Sequence, residues 1–257
     1  MANRQILAMT GAVLPMRQRK ILRFWYASTM EAIGRDYYPA LNDLDRKMLK
    51  YLGHIRGGIF VEAGANDGLS QSNTWHLERK LGWRGLLVEP IPQVAQLCKR
   101  FRPASTVENC ALGSFGQEGE RLALHYGALM TVAEGASTAH MFGGSPRSHA
   151  TEGASWVGER SYDFEVDVHS LSSLLTRHGF NKVDFLSLDV EGFEIPVLNG
   201  IDFSKTPINY LLIETSTAES VSACLKGTHA LIDRLSEHDY LYLANRYANT
   251  EAHSCQG

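Results

Sequence analysis

The sequence predicts an α/β fold, a doubly wound and mostly parallel sheet with an N-terminal helical extension. Three observations carry that expectation. Short apolar runs at Ile59-Phe60-Val61, Leu86-Leu87-Val88, Val183 to Leu188 and Ile208 to Ile213 alternate with helical patterns, the rhythm of βαβ units with helices on both faces. Three of those runs close on an acid, Glu89, Asp189 and Glu214, at the strand end where open sheets place their ligands. The first run opens into a turn with two glycines four apart, Gly64 and Gly68, ahead of a helix.

The elements follow in order. Residues 1–57 read as the helical extension. Arg17 to Tyr26 mixes bases with Ile21, Leu22, Phe24 and Trp25. A basic amphipathic helix of this kind suits a membrane surface or an acidic partner; the plainer expectation is that its aromatics pack on the main domain. The aromatic arm is also a candidate surface for a homo-oligomer. Leu44, Met48, Leu49 and Leu52 mark a second helix, with Asn42 or Asp43 as N-cap and Gly53 as stop. The main domain spans 58–257. Beyond the first strand, Ser70 to Leu81 reads as a helix, Gly85 to Val88 as a strand, the stretch from Pro90 to about Arg102 as a helix, and Thr106 to Ala111 as a third strand. Residues 121–132 alternate like a hairpin or an extended excursion. Residues 134–158 are rich in glycine and serine and predict a flexible loop or lid. The α/β rhythm then resumes with a strand at Tyr162 to Val168, a helix at Ser170 to His178, a strand ending at Asp189 and a short helix at Phe193 to Leu198. A strand ending at Glu214, a helix at Ala218 to Glu237 and a strand at Tyr240 to Ala244 complete it.

Composition excludes several classes. The 257 residues are 44% hydrophobic and 21% charged, unlike a mainly disordered chain. A net charge of −3 lacks the basic excess of a general nucleic-acid binder. No apolar run approaches the ~18 residues of a membrane span. Cys98, Cys110, Cys224 and Cys255 form no C-x-x-C pair, and sparse cysteines predict a reduced, cytoplasmic protein. Ile6 to Met16 is weakly apolar, but no small-residue cleavage site follows it, so no signal peptide is expected.

Three segments carry chemistry. In Val61-Glu62-Ala63-Gly64-Ala65-Asn66-Asp67-Gly68 the glycines permit close backbone approach to a ligand, and the next helix offers unpaired N–H groups. This is neither G-x-G-x-x-G nor a Gly-Lys-Ser/Thr phosphate loop. Glu62 would repel a pyrophosphate, whereas S-adenosylmethionine, with its ammonium and sulfonium, suits an acid there. Glu89 in Leu86-Leu87-Val88-Glu89-Pro90 ends the second strand, where a carboxylate accepts from both ribose hydroxyls. Asp189 in Ser187-Leu188-Asp189-Val190-Glu191-Gly192 is an acid among apolar strand residues and needs a partner, whether a ligand cation, a metal ion or a substrate hydroxyl.

Together these segments resemble the FkbM-type methyltransferases. The resemblance rests on Phe60 to Gly68, Gly85 to Pro90, and Leu188 to Glu194 with Val197-Leu198-Asn199-Gly200. Ser72-Asn73-Thr74 and Ala111-Leu112-Gly113 add to it, and the likeness covers about residues 58–215. It implies a class I, Rossmann-like methyltransferase fold, S-adenosylmethionine as donor, and O-methylation of a hydroxyl on a small molecule, sugar or lipid. Carried over, Glu62, Gly64, Asn66 and Gly68 would surround the methionine part, Glu89 would hold the ribose, and Cys110 and Ala111 would flank the adenine. Ala65, Asp67, Ser72, Asn73, Pro90 and Asp189 complete the expected cofactor-binding set.

Candidate proton acceptors are Asp189, Glu191 and a loop histidine, His140 or His149. Related macrolide-sugar methyltransferases bind magnesium through an aspartate and a later acidic pair. Asp189 matches that aspartate, but Glu214 is followed by Thr215, so Asp189 and Glu214 stand as an incomplete candidate Mg2+ pair. The end of the chain, Asn245 to Gly257, is short and polar where the fold's last strand is expected. Two other readings compete. One is a non-catalytic scaffold, which would not need the Glu62, Gly64, Gly68 and Glu89 set. The other is a nicotinamide oxidoreductase, against which the missing G-x-G-x-x-G and Glu62 argue.

Overall fold

A computed structural model describes residues 14–137 and 144–247. Two helices, α1 (Met16–Ala32) and α2 (Leu44–Leu52), precede β1 (Ile59–Ala63), α3 (Trp75–Leu81), β2 (Arg84–Val88), α4 (Pro92–Phe101) and β3 (Thr106–Glu108). An excursion follows: β4 (Ala111–Leu112), β5 (Arg121–His125), β6 (Val132–Ala133), α5 (Pro146–Trp156) and β7 (Asp163–His169). The chain ends in α6 (Leu171–Arg177), β8 (Val183–Leu188), α7 (Glu194–Leu198), β9 (Ile208–Glu214), α8 (Ala218–Leu225), β10 (His229–Arg234) and β11 (Asp239–Ala244). No helix among the described residues is long and apolar enough to cross a membrane.

The main sheet has seven strands in the order β10-β11-β9-β8-β1-β2-β3. The five from β9 to β3 pair in parallel, and β11 runs antiparallel between β9 and β10. This is the doubly wound α/β sheet the sequence predicts. Strand order reverses between β1 and β8, where their carboxyl ends open a crevice. The last strand lies before Asn245, because β10 and β11 together fold back as an antiparallel pair. The polar terminus is not needed for it.

Alternation along each buried strand sends side chains to both faces. Val61, Leu86, Val88, Leu186, Leu188, Leu211 and Ile213 meet α6, α7, α8 and the inner side of the small β4-β7-β5-β6 sheet. Phe60, Leu87, Phe185, Leu212 and Leu241 meet α2, with Leu77 of α3 and Cys98 of α4. Leu44, Met48 and Leu52 fall on one helical stripe of α2 and are buried. Neither Asn42 nor Asp43 caps α2 through its side chain; the buried Asp45 carboxylate accepts from the Ala40 and Arg46 amides instead. Helix α1 docks outside α3 and α4: Phe24 stacks on Phe101 at 4.4 Å, and Glu31 accepts from Trp75 Nε1 at 3.0 Å.

Four expected elements come out differently, the Thr106–Ala111 strand among them, which divides into β3 and β4. The Ala218–Glu237 helix stops at Leu225, and β10 takes the remainder. The Ser70–Leu81 helix begins at Trp75. Within the expected 134–158 loop, Pro146–Trp156 is helical. Ser145 caps it by accepting from the Ser148 amide, and Pro146 supplies a preset first turn. Its glycine is a packing device: a Cβ at Gly153 would stand 2.5 Å from Gly127 O and 2.6 Å from Met130 Cβ.

Candidate functional site

The crevice is built first by the turn after β1. The Gly64 and Ala65 amides both donate to Val88 O at 3.0 Å. Gly64 has φ +81, and a Cβ there would collide with the Asp189 carbonyl oxygen. Only glycine fits where β1 is squeezed between its two neighbours. Asn66 follows at φ 50, and its amide donates to Glu89 Oε2 at 2.8 Å.

Asp67 and Gly68 stand behind the pocket wall. Asp67 Oδ1 accepts from the Leu69 and Ser70 amides, and Oδ2 from Ser70 Oγ and from Lys20 Nζ at 3.0 Å. Burial alone would raise its carboxyl; the Lys20 ammonium and these bonds hold it below the usual range. Lys20 Nζ also donates to Asn66 Oδ1 at 2.6 Å. A Cβ on Gly68 would meet Arg102 Cγ at 2.6 Å and Cys98 Sγ at 2.9 Å. Gly68 therefore makes room for Arg102 rather than for a ligand.

Glu62 lines the crevice, but its oxygens are engaged. They accept from Ser72 Oγ at 2.9 Å, the Asn73 amide at 2.7 Å and Thr74 Oγ1 at 2.7 Å. Burial pushes this carboxyl up, against the lowering field of Arg102 at 3.7 Å. Arg102 is fully buried; it donates to Gly68 O, Ser72 Oγ and Thr74 Oγ1 and pairs with Glu78 at 3.0 Å. Glu62 and Arg102 thus fix the 68–74 loop, which is why this stretch is a turn and not helix. Sequence reasoning missed Arg102 and Lys20. Their partners lie far along the chain, and no local spacing marks them.

At the end of β2, Glu89 accepts from the Asn66 and Ile91 amides, both at 2.8 Å. Burial pushes it up to about 7. Asn109 donates to Glu89 O and Pro90 O, breaking the expected Thr106–Ala111 strand into β3 and β4 and turning Cys110 and Ala111 toward the pocket.

At the end of β8, the Asp189 amide donates to Ala63 O at 3.1 Å. Burial, and next the Glu214 carboxylate, push the Asp189 side chain well above the usual range. Glu214 is itself raised to about 7 by burial and by Asp239. Glu191 is held at φ 51 before Gly192 at φ 89. His149 Nε2 of α5 stands 3.3 Å from Glu191 Oε2, so this helical part of the 134–158 segment is packed beside the site. His140 lies outside the described residues.

One pocket gathers most of these residues. Glu62, Gly64, Ala65, Asn66, Ser72, Asn73, Glu89, Pro90, Cys110, Ala111, Asp189 and Glu191 line it, with Ile91, Leu122, Leu124, Leu129 and Phe193 as apolar wall. Asp67, Gly68 and Glu214 do not. Among the described residues four carboxyl side chains line it, and no lysine, arginine or histidine does. Asn66 Nδ2 and Asn73 Oδ1 are buried with no hydrogen-bond partner among the described residues. Asn66, Gln71, Ala128 and Glu191, all lining it, have positive φ without being glycine. Such outliers concentrate where a ligand is held. For a metal the fit fails: among the described residues no group of three or more His, Cys, Asp or Glu side chains is placed to hold one. The Asp189 and Glu214 pair gains no third ligand.

Solved structures offer distant likenesses. The chain is similar to a TehB-like SAM-dependent methyltransferase from Corynebacterium glutamicum, with 10% identity over 89% of this chain and 97% of that one and a TM-score of 0.40. It is similar to a SAM-dependent methyltransferase from Aquifex aeolicus, with 10% identity over 78% and 88% and a TM-score of 0.41. It is also similar to an RNA methyltransferase from Salinibacter ruber in complex with S-adenosyl-L-homocysteine, with 11% identity over 79% and 90% and a TM-score of 0.37. No curated protein matches the chain significantly. A family model, the methyltransferase FkbM domain, matches residues 62–242. That match spans well over half of the sequence and includes every crevice-forming strand end, so the chain belongs to the FkbM methyltransferase family.

Proposed function

We propose that the protein transfers a methyl group from S-adenosylmethionine to a hydroxyl of a small molecule, sugar or lipid. One observation carries the reading: among the described residues, the crevice at the β1/β8 reversal is lined by four carboxyl groups and no cation. The ammonium and sulfonium of S-adenosylmethionine fit such a lining, and a pyrophosphate would find no cation in it. The unpaired Asn66 Nδ2 and Asn73 Oδ1 supply one donor and one acceptor for a polar ligand. When bound, S-adenosylmethionine supplies a methyl group made electrophilic by its sulfonium.

The chain's own residues would then do the following. Glu89, anchored by two amides, keeps lone pairs for the ribose hydroxyls. Asn66, Ser72, Asn73 and Asp189 would hold the methionine part, with Glu62 fixing the loop that carries Ser72 and Asn73. Cys110 and Ala111, with Ile91, would flank the adenine. Glu191 would accept the hydroxyl proton at its carboxylate, with His149 Nε2 at 3.3 Å to share the charge. Alignment of acceptor and methyl group supplies the remaining acceleration, roughly 7–11 kcal/mol in the best cases. No step runs through a metal. A cytoplasmic setting is expected from the sequence, because four cysteines in 257 residues, with no C-x-x-C pair, are too sparse for a disulfide scaffold.

Titration calorimetry with S-adenosylmethionine, S-adenosylhomocysteine and NADH tests this, with and without magnesium. The expected result is binding of the first two, none of NADH, and no magnesium dependence. Binding of NADH overturns the donor assignment. No binding of any of them returns the non-catalytic scaffold reading.

A further inference from the structure

The aromatics of α1 pack on the main domain only in part. Ile21, Phe24 and Ala27 turn inward to Trp75, Leu97 and Phe101. Leu22, Trp25 and Ile33 do not: they are 49%, 59% and 63% exposed. Leu22 and Trp25 lie three residues apart on one outward side of α1, and Ile33 is the residue that ends the helix. Trp25 meets Phe24 edge-on at 6.3 Å, so its ring is steadied on one side and open to solvent on the other.

The same helix is locally basic in a protein of net charge −3. Arg17, Arg19, Lys20 and Arg23 fill its first half, and Glu31 is its one acid. Lys20 is used by Asp67, and Arg19 donates to Val157 O at 2.8 Å. Beside Arg17 a second groove has Met16, Val94 and Leu97 as its floor and Arg160 on its rim. The stacked rings of Tyr126 and Tyr162, 4.6 Å apart, wall it. Arg17 and Arg160 are both exposed, and Glu159, which accepts from Tyr126 Oη, is the one acid among the groove's described lining.

We propose that α1 seats the protein on an anionic lipid surface. Leu22, Trp25 and Ile33 enter the boundary between headgroups and acyl chains, and Arg17, Arg23 and Arg160 meet the lipid phosphates. Three outward apolar side chains fall far short of the roughly 20–30 residues a side that a stable protein interface uses. A helix lying in a membrane surface binds instead through its buried apolar area and the attraction of its bases to anionic lipids, and tryptophan is enriched at that boundary. The proposal does not depend on the methyl-transfer reading.

Sedimentation of the full chain with vesicles tests it. The protein is expected to bind phosphatidylcholine vesicles that contain phosphatidylglycerol, to ignore phosphatidylcholine alone, and to be released by salt. Arg17→Ser with Arg23→Ser should weaken binding by about thirtyfold. Leu22→Ser with Trp25→Ser should abolish it, with the melting temperature unchanged in both variants. Three results overturn the proposal: no binding by the wild type, equal binding by the variants, or light scattering showing that the Leu22/Trp25 variant turns an oligomer into a monomer. The last would make the stripe an interface between copies of this chain.

Discussion

The Lys20 ammonium donates to the Asn66 side-chain oxygen at 2.6 Å across 46 residues of sequence. With its second bond to Asp67, it ties the N-terminal helix to the turn that ends the first strand. The extension that precedes the family match therefore reaches the crevice.

Removing that tie should destabilise the fold. Lys20→Ala leaves Asp67 buried without its cation, which costs about 3–5 kcal/mol. Asp67 is held below its unfolded value of 3.8, so its contribution is present above that pH and is lost as pH falls through the lower folded value. Urea unfolding should show a wild-type advantage near neutrality that shrinks in acid. An equal gap at both pH values would contradict the ion-pair account.

Glu89 gives the opposite sign. Its folded carboxyl sits at about 7, above its ordinary 4.5. The stability it confers is full below 4.5 and falls away as pH climbs to about 7. Ribose hydroxyls bind the ionised form, so donor affinity should rise with pH, by up to about tenfold per unit, and level off above about 7. Calorimetry from about pH 5 to about pH 8 reads this directly. Glu89→Gln should weaken binding and flatten the profile.

Gly64→Ala tests the squeeze between β1 and β8. The new methyl meets the Asp189 carbonyl at a backbone angle that L side chains rarely adopt. A loss of about 2–6 kcal/mol is expected from the two effects combined, together with loss of donor binding. A variant that melts like the wild type and binds the donor would show that this approach is not needed.

Gly153→Val tests the seat of α5. The added carbons meet Gly127 O and Met130, an overpacking worth about 1–3 kcal/mol. Hydrogen exchange should quicken over 127–130 and 146–156 and stay slow in β8. Unchanged exchange in α5 would mean that the helix does not depend on this contact.

The sequence made the main sheet legible because its buried strands are continuous apolar runs and end on acids. The crevice was legible for the same reason: Glu62, Glu89 and Asp189 each sit at a strand end and line it. What stayed hidden depends on distant contacts. The segment from His229 to Arg234 has no strand signature, with only His229 of it buried, and becomes a strand by pairing with β11. Gly153 reads as a loop residue until Gly127 is seen against it. Arg102 looks like the basic end of a surface helix, yet it is fully buried among Glu62, Glu78 and Thr74.

The antiparallel return of β11 leaves the seven-strand sheet bordered by β3 and β10. The first has three residues, and the second breaks register between Leu231 and Asp233. Among the described residues neither border offers a long, straight ladder of unpaired amides, which disfavours the addition of a strand from another chain. Leu231 and Ile232 face water on this border, and the break in register between Leu231 and Asp233 makes the strand that carries them a poor template for pairing.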